Sequence, residues 1–265
     1  MTAAPHPSAH RALHPPGWFR LALEARAPME LAGGLAAWPL LRAAPRGDGH
    51  PVLVFPGLAA TDFSTRPLRR LLARLGHEPY GWGQGRNLGP RPEVLEAALA
   101  RVRGLAERHG RRVSLVGWSL GGLYARELAK QAPEVVRAVV SLGSPFAGSP
   151  RATNAWRLYA ALNRGTPPPA SIPDDMAAAP PVPTTSIWSR SDGIVAWQCC
   201  VERPGPISEN IVVEASHTGL GVHPLVLHAL ADRLAQPEGA WRPFDRRGLR
   251  RFLYPDPQRA TRSMF

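Results

Sequence analysis

Cysteine is scarce in this chain of 265 residues: only two occur, Cys199 and Cys200, and they are neighbours. Adjacent thiols cannot close a loop, so a fold stapled by disulfides is excluded. Nothing pairs them with histidine at zinc-ligand spacing, and no metal is expected. Two partly buried thiols acting as small apolar side chains is the simpler reading. Lysine is scarcer still, with Lys130 standing alone. The formal charge of +12 is therefore arginine, scattered among Ala, Gly and Pro as in GC-rich coding, and not gathered on one face. Signatures of nucleic-acid modules are absent, and no nucleic-acid partner is expected. Long apolar runs are missing too. The first, Leu31 to Leu41, falls short of the roughly 20 residues that cross a bilayer. It follows Glu30 and lacks the basic lead-in of a signal peptide, so a helix or turn packed on the body and a cytoplasmic, bacterial protein are the expectations.

What is present points to one globular domain. The apolar fraction is 44% and no repeat recurs at a solenoid period. Residues 1–14 are rich in Pro, His and Ala without periodicity and read as a flexible leader; 15–265 read as the domain. Pro51–Phe55 is a short continuous apolar run, which suits a strand buried on both faces. After it, Leu68, Leu71, Leu72 and Leu75 recur at helical spacing up to Gly76. His77–Trp82 reads as a strand, Arg91–His109 as a helix stopped by Gly110, Val113–Val116 as a strand, Leu120–Gln131 as a helix and Val135–Leu142 as a strand. This alternation predicts an α/β fold with a mostly parallel central sheet and helices on both faces.

From about 147 to 183 the regularity lapses into a cap-like insertion, with one helical stretch at Ala152–Leu162 and then a proline-dense excursion. Strands resume at Thr184–Ser189 and Ile211–Ala215, and a helix at Pro224–Leu234. The tail, about 237–265, carries the one dense basic run, Arg246–Arg251, followed by Phe252, Leu253 and Tyr254. It reads as a solvated segment that packs its few apolar residues on the body, with contact to an anionic membrane surface left open.

Gly117-Trp118-Ser119-Leu120-Gly121 matches G-x-S-x-G between a predicted strand and a predicted helix. In that context the motif has mechanical meaning: the glycines let the backbone turn tightly while Ser119 takes a strained conformation with its hydroxyl exposed. With it, VLVFPGL, SLGSPFAGS, SRSDGIV and SHTGL make the chain resemble the α/β-hydrolase family, its lipases and carboxylesterases in particular, from about Pro51 to Ala235. The family's order is nucleophile, acid, histidine, and this sequence offers Ser119, Asp192 and His217 in that order. A serine hydroxyl needs a base to take its proton, and His217 follows a predicted strand at its carboxyl end, where ligand chemistry gathers in such sheets. Asp192 ends the preceding strand; Asp174 and Asp175 are rivals that would rest on the proline-rich loop. The alternative role for Asp192 is an Asx turn with Gly193.

The resemblance implies two N–H donors for a tetrahedral oxyanion, from Leu120 and from Leu58 in preference to Ala59. Here Phe55-Pro56-Gly57 stands where many lipases show His-Gly. Trp118, Phe63 and Trp156 are the candidate acyl-binding side chains, with Leu158, Tyr159 and Leu162 near them. The expected activity is hydrolysis of small-molecule or lipid esters with hydrophobic acyl groups through an acyl-serine, without cofactor. An acyltransferase using the same three residues, or a non-catalytic binding protein on the same fold, are the alternatives.

Overall fold

The computed structural model describes residues 13–163 and 174–262. An arm of short helices opens it: α1 (Trp18–Ala22), a 3₁₀ turn at Leu23–Arg26, α2 (Ala27–Ala36) and α3 (Trp38–Leu41). Then come β1 (Pro51–Phe55), α4 (Arg66–Arg74), β2 (Glu78–Gly81), α5 (Pro92–His109), β3 (Val113–Trp118), α6 (Leu120–Gln131) and β4 (Val136–Leu142). The excursion carries α7 (Trp156–Leu162) and α8 (Asp174–Ala177). After it the chain runs through β5 (Thr184–Ser189), β6 (Ser208–Val213), α9 (Pro224–Leu234), α10 (Arg250–Leu253) and α11 (Pro257–Arg262).

The six strands form one parallel sheet in the order β2-β1-β3-β4-β5-β6. Successive strand residues point to opposite faces, and both faces are covered. Val52 and Val54 join the leucines of α4 and the apolar side of α9 in one core. Leu53 and Phe55 turn the other way, to Val102 and Leu105 of α5 and to Tyr124 and Leu128 of α6. Strand order reverses between β1 and β3, and there the carboxyl ends of the strands open a crevice. The register Phe55↔Gly117 sets the loop after β1 beside the end of β3. At the far side of the sheet, Ser189↔Val213 does the same for the loops after β5 and β6.

Several boundaries differ from expectation. The helix expected from Ala152 begins only at Trp156, because Thr153 pairs in an isolated bridge with Val195 and its Oγ1 accepts the Ala155 N–H at 2.8 Å. Strand β6 starts three residues before Ile211 and ends before Ala215. Leu13, assigned to the leader by composition, packs against the cluster of Trp197, Cys199 and Cys200; residues 1–12 and the proline run at 164–173 lie outside the described residues. The tail packs through Phe244, Tyr254 and Ala260, and Tyr254 donates its hydroxyl to the Leu225 carbonyl at 2.9 Å. Both cysteines are free and buried, which pushes the Cys199 thiol up to about 12. Among the described residues no helix is long and apolar enough to cross a membrane.

At the amino ends of β1 and β3 sits a second polar cluster. His50 places Nδ1 2.6 Å from Asp48 Oδ1 and Nε2 2.8 Å from Ser114 Oγ, and both His50 and Ser114 are fully enclosed. His77 lies edge-on to His50 with both ring nitrogens buried and unpaired.

Candidate active site

Strand β3 ends at Trp118, and the next residue, Ser119, has φ 54° and ψ −123°. A side chain rarely tolerates that region, and the only other non-glycine at positive φ among the described residues is Ala59. The turn is held from both sides. The Ser119 N–H donates to the Leu142 carbonyl at the end of β4 (2.8 Å), and its carbonyl accepts from the Gly122 N–H (3.0 Å). A side chain at Gly121 would collide with the Phe55 carbonyl oxygen, so α6 can start against β1 only because that position is bare. Strain stored at one hydroxyl-bearing residue between a strand and a helix is what the G-x-S-x-G spacing predicts.

Beside it, the loop after β1 is anchored by a residue that sequence reasoning missed. Asn87 is fully buried. Its Nδ2 donates to the Pro56 carbonyl (2.8 Å), its N–H to the Ala60 carbonyl (2.9 Å), and its carbonyl accepts the Ala59 N–H (2.7 Å). Ala59 is thereby occupied, whereas the Leu58 N–H has no partner among the described residues. Leu120 heads α6, where an N–H has no acceptor within its own helix. The two N–H groups singled out from the sequence thus have no acceptor among the described residues. Nothing in the coil around Asn87 marks it in advance.

Asp192 and His217 are brought together by the β5–β6 register. Asp192 is enclosed. Its Oδ1 accepts the N–H groups of Ile194 (2.8 Å) and Val195 (2.7 Å), and its Oδ2 lies 2.7 Å from His217 Nδ1. One carboxylate oxygen thus makes the Asx turn and the other holds the imidazole. Asp175 does not compete: it sits in α8, where its main-chain carbonyl accepts from Lys130 Nζ, near the end of α6, at 2.7 Å. The His217 ring rests on Gly143, where a Cβ would stand 3.1 Å from Nδ1. Gly143 directly follows Leu142, the acceptor of the Ser119 N–H, so the imidazole and the hydroxyl occupy neighbouring strand ends. With Nδ1 taken by Asp192, Nε2 is the nitrogen left for chemistry. Burial disfavours the imidazolium, but the Asp192 carboxylate, as a charge and as a hydrogen-bond acceptor, and the Glu24 charge outweigh it. His217 therefore titrates above the ordinary histidine range.

Glu24 and Glu30 were also missed, since nothing in an Ala-rich stretch announces a contact some 190 residues away. Glu24 Oε1 accepts the N–H groups of Gly193 and His217, each at 2.8 Å, while Oε2 accepts the Thr218 N–H at 3.0 Å and the Thr218 hydroxyl. Glu30 accepts the Ser216 N–H at 2.8 Å and its hydroxyl, and pairs with Arg26, whose guanidinium reaches Ser191 Oγ at 2.7 Å.

A cavity of ≈ 210 Å³ opens at Ser119, walled mainly by Leu58, Leu120, Leu123, Trp156, Tyr159 and Met176. Of the side chains expected to bind an acyl group, Trp156 lines it and two do not. Trp118 turns away because its indole Nε1–H donates to the His217 carbonyl at 3.1 Å and its ring covers Gly221. Phe63 is 74% exposed, stacked under Arg66 on the surface. Leu158 is likewise exposed. Helix α6 fixes the far wall: Arg126, paired with Glu202, donates to the carbonyls of Ala177 (3.1 Å) and Ala178 (2.9 Å), and Lys130 donates to that of Met176 (2.9 Å). Among the described residues no cluster of His, Cys, Asp and Glu could hold a metal ion.

No protein-family model matches the chain, and no curated protein matches it in sequence. Solved structures do match. Aspergillus fumigatus lipase B superposes with a TM-score of 0.56 at 18% identity, over 76% of this chain and 58% of the lipase. One of the metagenome-derived lipolytic enzymes LipS and LipT superposes with a TM-score of 0.50 at 18% identity, over 66% of this chain and 88% of that enzyme. The chain thus spans under two thirds of the fungal lipase. At these identities the likeness is one of architecture: a six-stranded parallel sheet flanked by helices, the α/β-hydrolase fold.

Proposed function

We propose that a chain with this fold and this cleft is a serine hydrolase of carboxylic esters bearing apolar acyl groups. The observation that carries the reading is the strained Ser119 beside the strand end on which the His217 ring rests, with the imidazole held through Nδ1 by a buried carboxylate. Ser119 Oγ attacks the ester carbonyl carbon as its proton passes to His217 Nε2. The carbonyl oxygen becomes an oxyanion that accepts hydrogen bonds from the N–H groups of Leu58 and Leu120. Collapse expels the alcohol, which takes the proton from His217, and leaves an acyl-Ser119. Water then adds by the same route in reverse roles, releasing the carboxylic acid. Asp192 fixes the imidazole tautomer and stabilises its protonated form.

The cavity wall, apolar almost throughout, supports an acyl group in preference to a polar one. The test is Ser119→Ala. Hydrolysis of p-nitrophenyl butanoate should fall by at least about 10³-fold, and a fluorophosphonate should label the wild type and not the variant. Activity retained in Ser119→Ala overturns the assignment.

A further inference from the structure

The N-terminal arm meets the body with its charged side chains inward. Leu21, Ala25, Met29, Ala32, Leu35 and Leu40, recurring along one side, are exposed, while Glu24 and Glu30 turn in to the loops after β5 and β6. A surface helix ordinarily does the reverse. The inward carboxylates therefore seat the arm together with the apolar packing of Ala37, Trp38 and Leu41, and Glu24 does so on the two loops that carry Asp192 and His217. Its four donors come from Gly193, adjacent to the acid, and from His217 and Thr218, at the base. Gly193 must be bare for this approach, since a Cβ there would run into the Arg20 carbonyl. The N–H groups of Gly193 and His217 converge on a single oxygen, so one atom bridges the two loops.

We infer that Glu24 is a positioning residue: its carboxylate ties the acid-bearing loop to the base-bearing loop, and the N-terminal arm is part of the active site. Its effect on turnover rests on the hydrolase reading; its effect on the imidazole does not. Burial opposes the ionised form of Glu24, but the hydrogen bonds from Thr218, His217 and Gly193 prevail and hold it below the usual carboxylate range. The charged and titratable groups around His217 are few. Asp192 faces it from the loop after β5 and Glu24 from the arm; the Cys200 thiol stands behind Asp192, and the Glu30–Arg26 pair grips Ser216 and Ser191 one residue further out. Glutamine at position 24 keeps an oxygen for the two shared N–H groups and removes the charge.

The experiment is Glu24→Gln in the full chain. His217 is followed by NMR titration of its imidazole, and kcat and KM for p-nitrophenyl butanoate are measured across pH. The His217 midpoint should fall by about half a pH unit or more, the acid limb of kcat/KM should move with it, and kcat should drop about tenfold with KM within about twofold. Glu24→Asp keeps the charge with a shorter reach: kcat should drop while the midpoint stays close to wild type. Superimposable His217 titrations for wild type and Glu24→Gln overturn the inference. Should Glu24→Gln not fold, Thr218→Val, which removes one donor and leaves the charge, carries the test; unchanged kcat there overturns it. If no form of the protein turns over esters while the midpoint still shifts, the hydrolase reading has failed and the positioning role stands.

Discussion

Trp118 and His217 are joined by a single hydrogen bond, 3.1 Å from the indole Nε1 to the histidine's main-chain carbonyl. The residue that precedes the candidate nucleophile thus grips the backbone of the candidate base. Trp118→Phe retains a ring over Gly221 and removes the donor. We expect kcat to fall roughly tenfold with KM little changed, because the loss is one of orientation. Steady-state kinetics check this; a rise in KM alone would return Trp118 to the acyl site.

His217 must be neutral to accept a proton, and in the folded protein its protonated form is the favoured one beyond the usual range. A raised histidine pKa moves the loss of base to higher pH, so the acid limb of kcat/KM should have its midpoint above 6.5, the ordinary histidine value. Asp192→Asn removes the larger of the two stabilising charges and permits the wrong tautomer. The midpoint should then drop, and kcat with it by about 10³-fold or more. A wild-type midpoint at or below 6.5 would contradict the electrostatics described for this loop.

The cavity at Ser119, ≈ 210 Å³, is small beside the roughly 300–1,000 Å³ of pockets for drug-sized ligands. Short and medium acyl chains should be preferred across a p-nitrophenyl series from acetyl to dodecanoyl. Trp156→Ala removes an indole from the wall and should shift the optimum toward longer chains. An optimum indifferent to position 156 would place the acyl group elsewhere.

At the other end of the sheet, burial and then the neighbouring His50 push the His77 imidazole down to about 4. Its folded value lies below its unfolded one. As pH falls under 6.5 the unfolded chain binds a proton that the folded chain refuses until about 4, so stability is present above 6.5 and declines between these limits. The full effect is on the order of 3 kcal/mol. His77→Phe should lose less stability than wild type between pH 7.5 and pH 5 in urea unfolding; parallel losses would remove His77 as the cause.

How far the sequence could be read follows the range of the interactions. Thr184–Ser189 and Pro224–Leu234 take the bounds expected of them because buried runs and prolines mark their ends locally. Ser119 was legible for the same reason, as a strand, a glycine and a helix in succession. Leu58 could be ranked over Ala59 only by resemblance, and the physical ground, Ala59's bond to Asn87, spans 28 residues of chain. Glu24 and Trp118 were beyond reach. A carboxylate in an Ala-rich helix and an aromatic beside a motif serine acquire their partners only when β5 and β6 come into register, and no local period records that event.

Asp48, His50 and Ser114 reproduce, contact for contact, a carboxylate–imidazole–hydroxyl relay, yet Ser114 is sealed inside the sheet with an ordinary strand backbone. Reactivity toward an acylating or phosphonylating reagent needs an unblocked approach to the oxygen and a place for the displaced charge, and Ser114 has neither. The native protein should therefore take up one equivalent of such a reagent per chain, and unfolding should add no second one, because parting β1 from β3 also parts Ser114 from His50 and leaves a hydroxyl without its base.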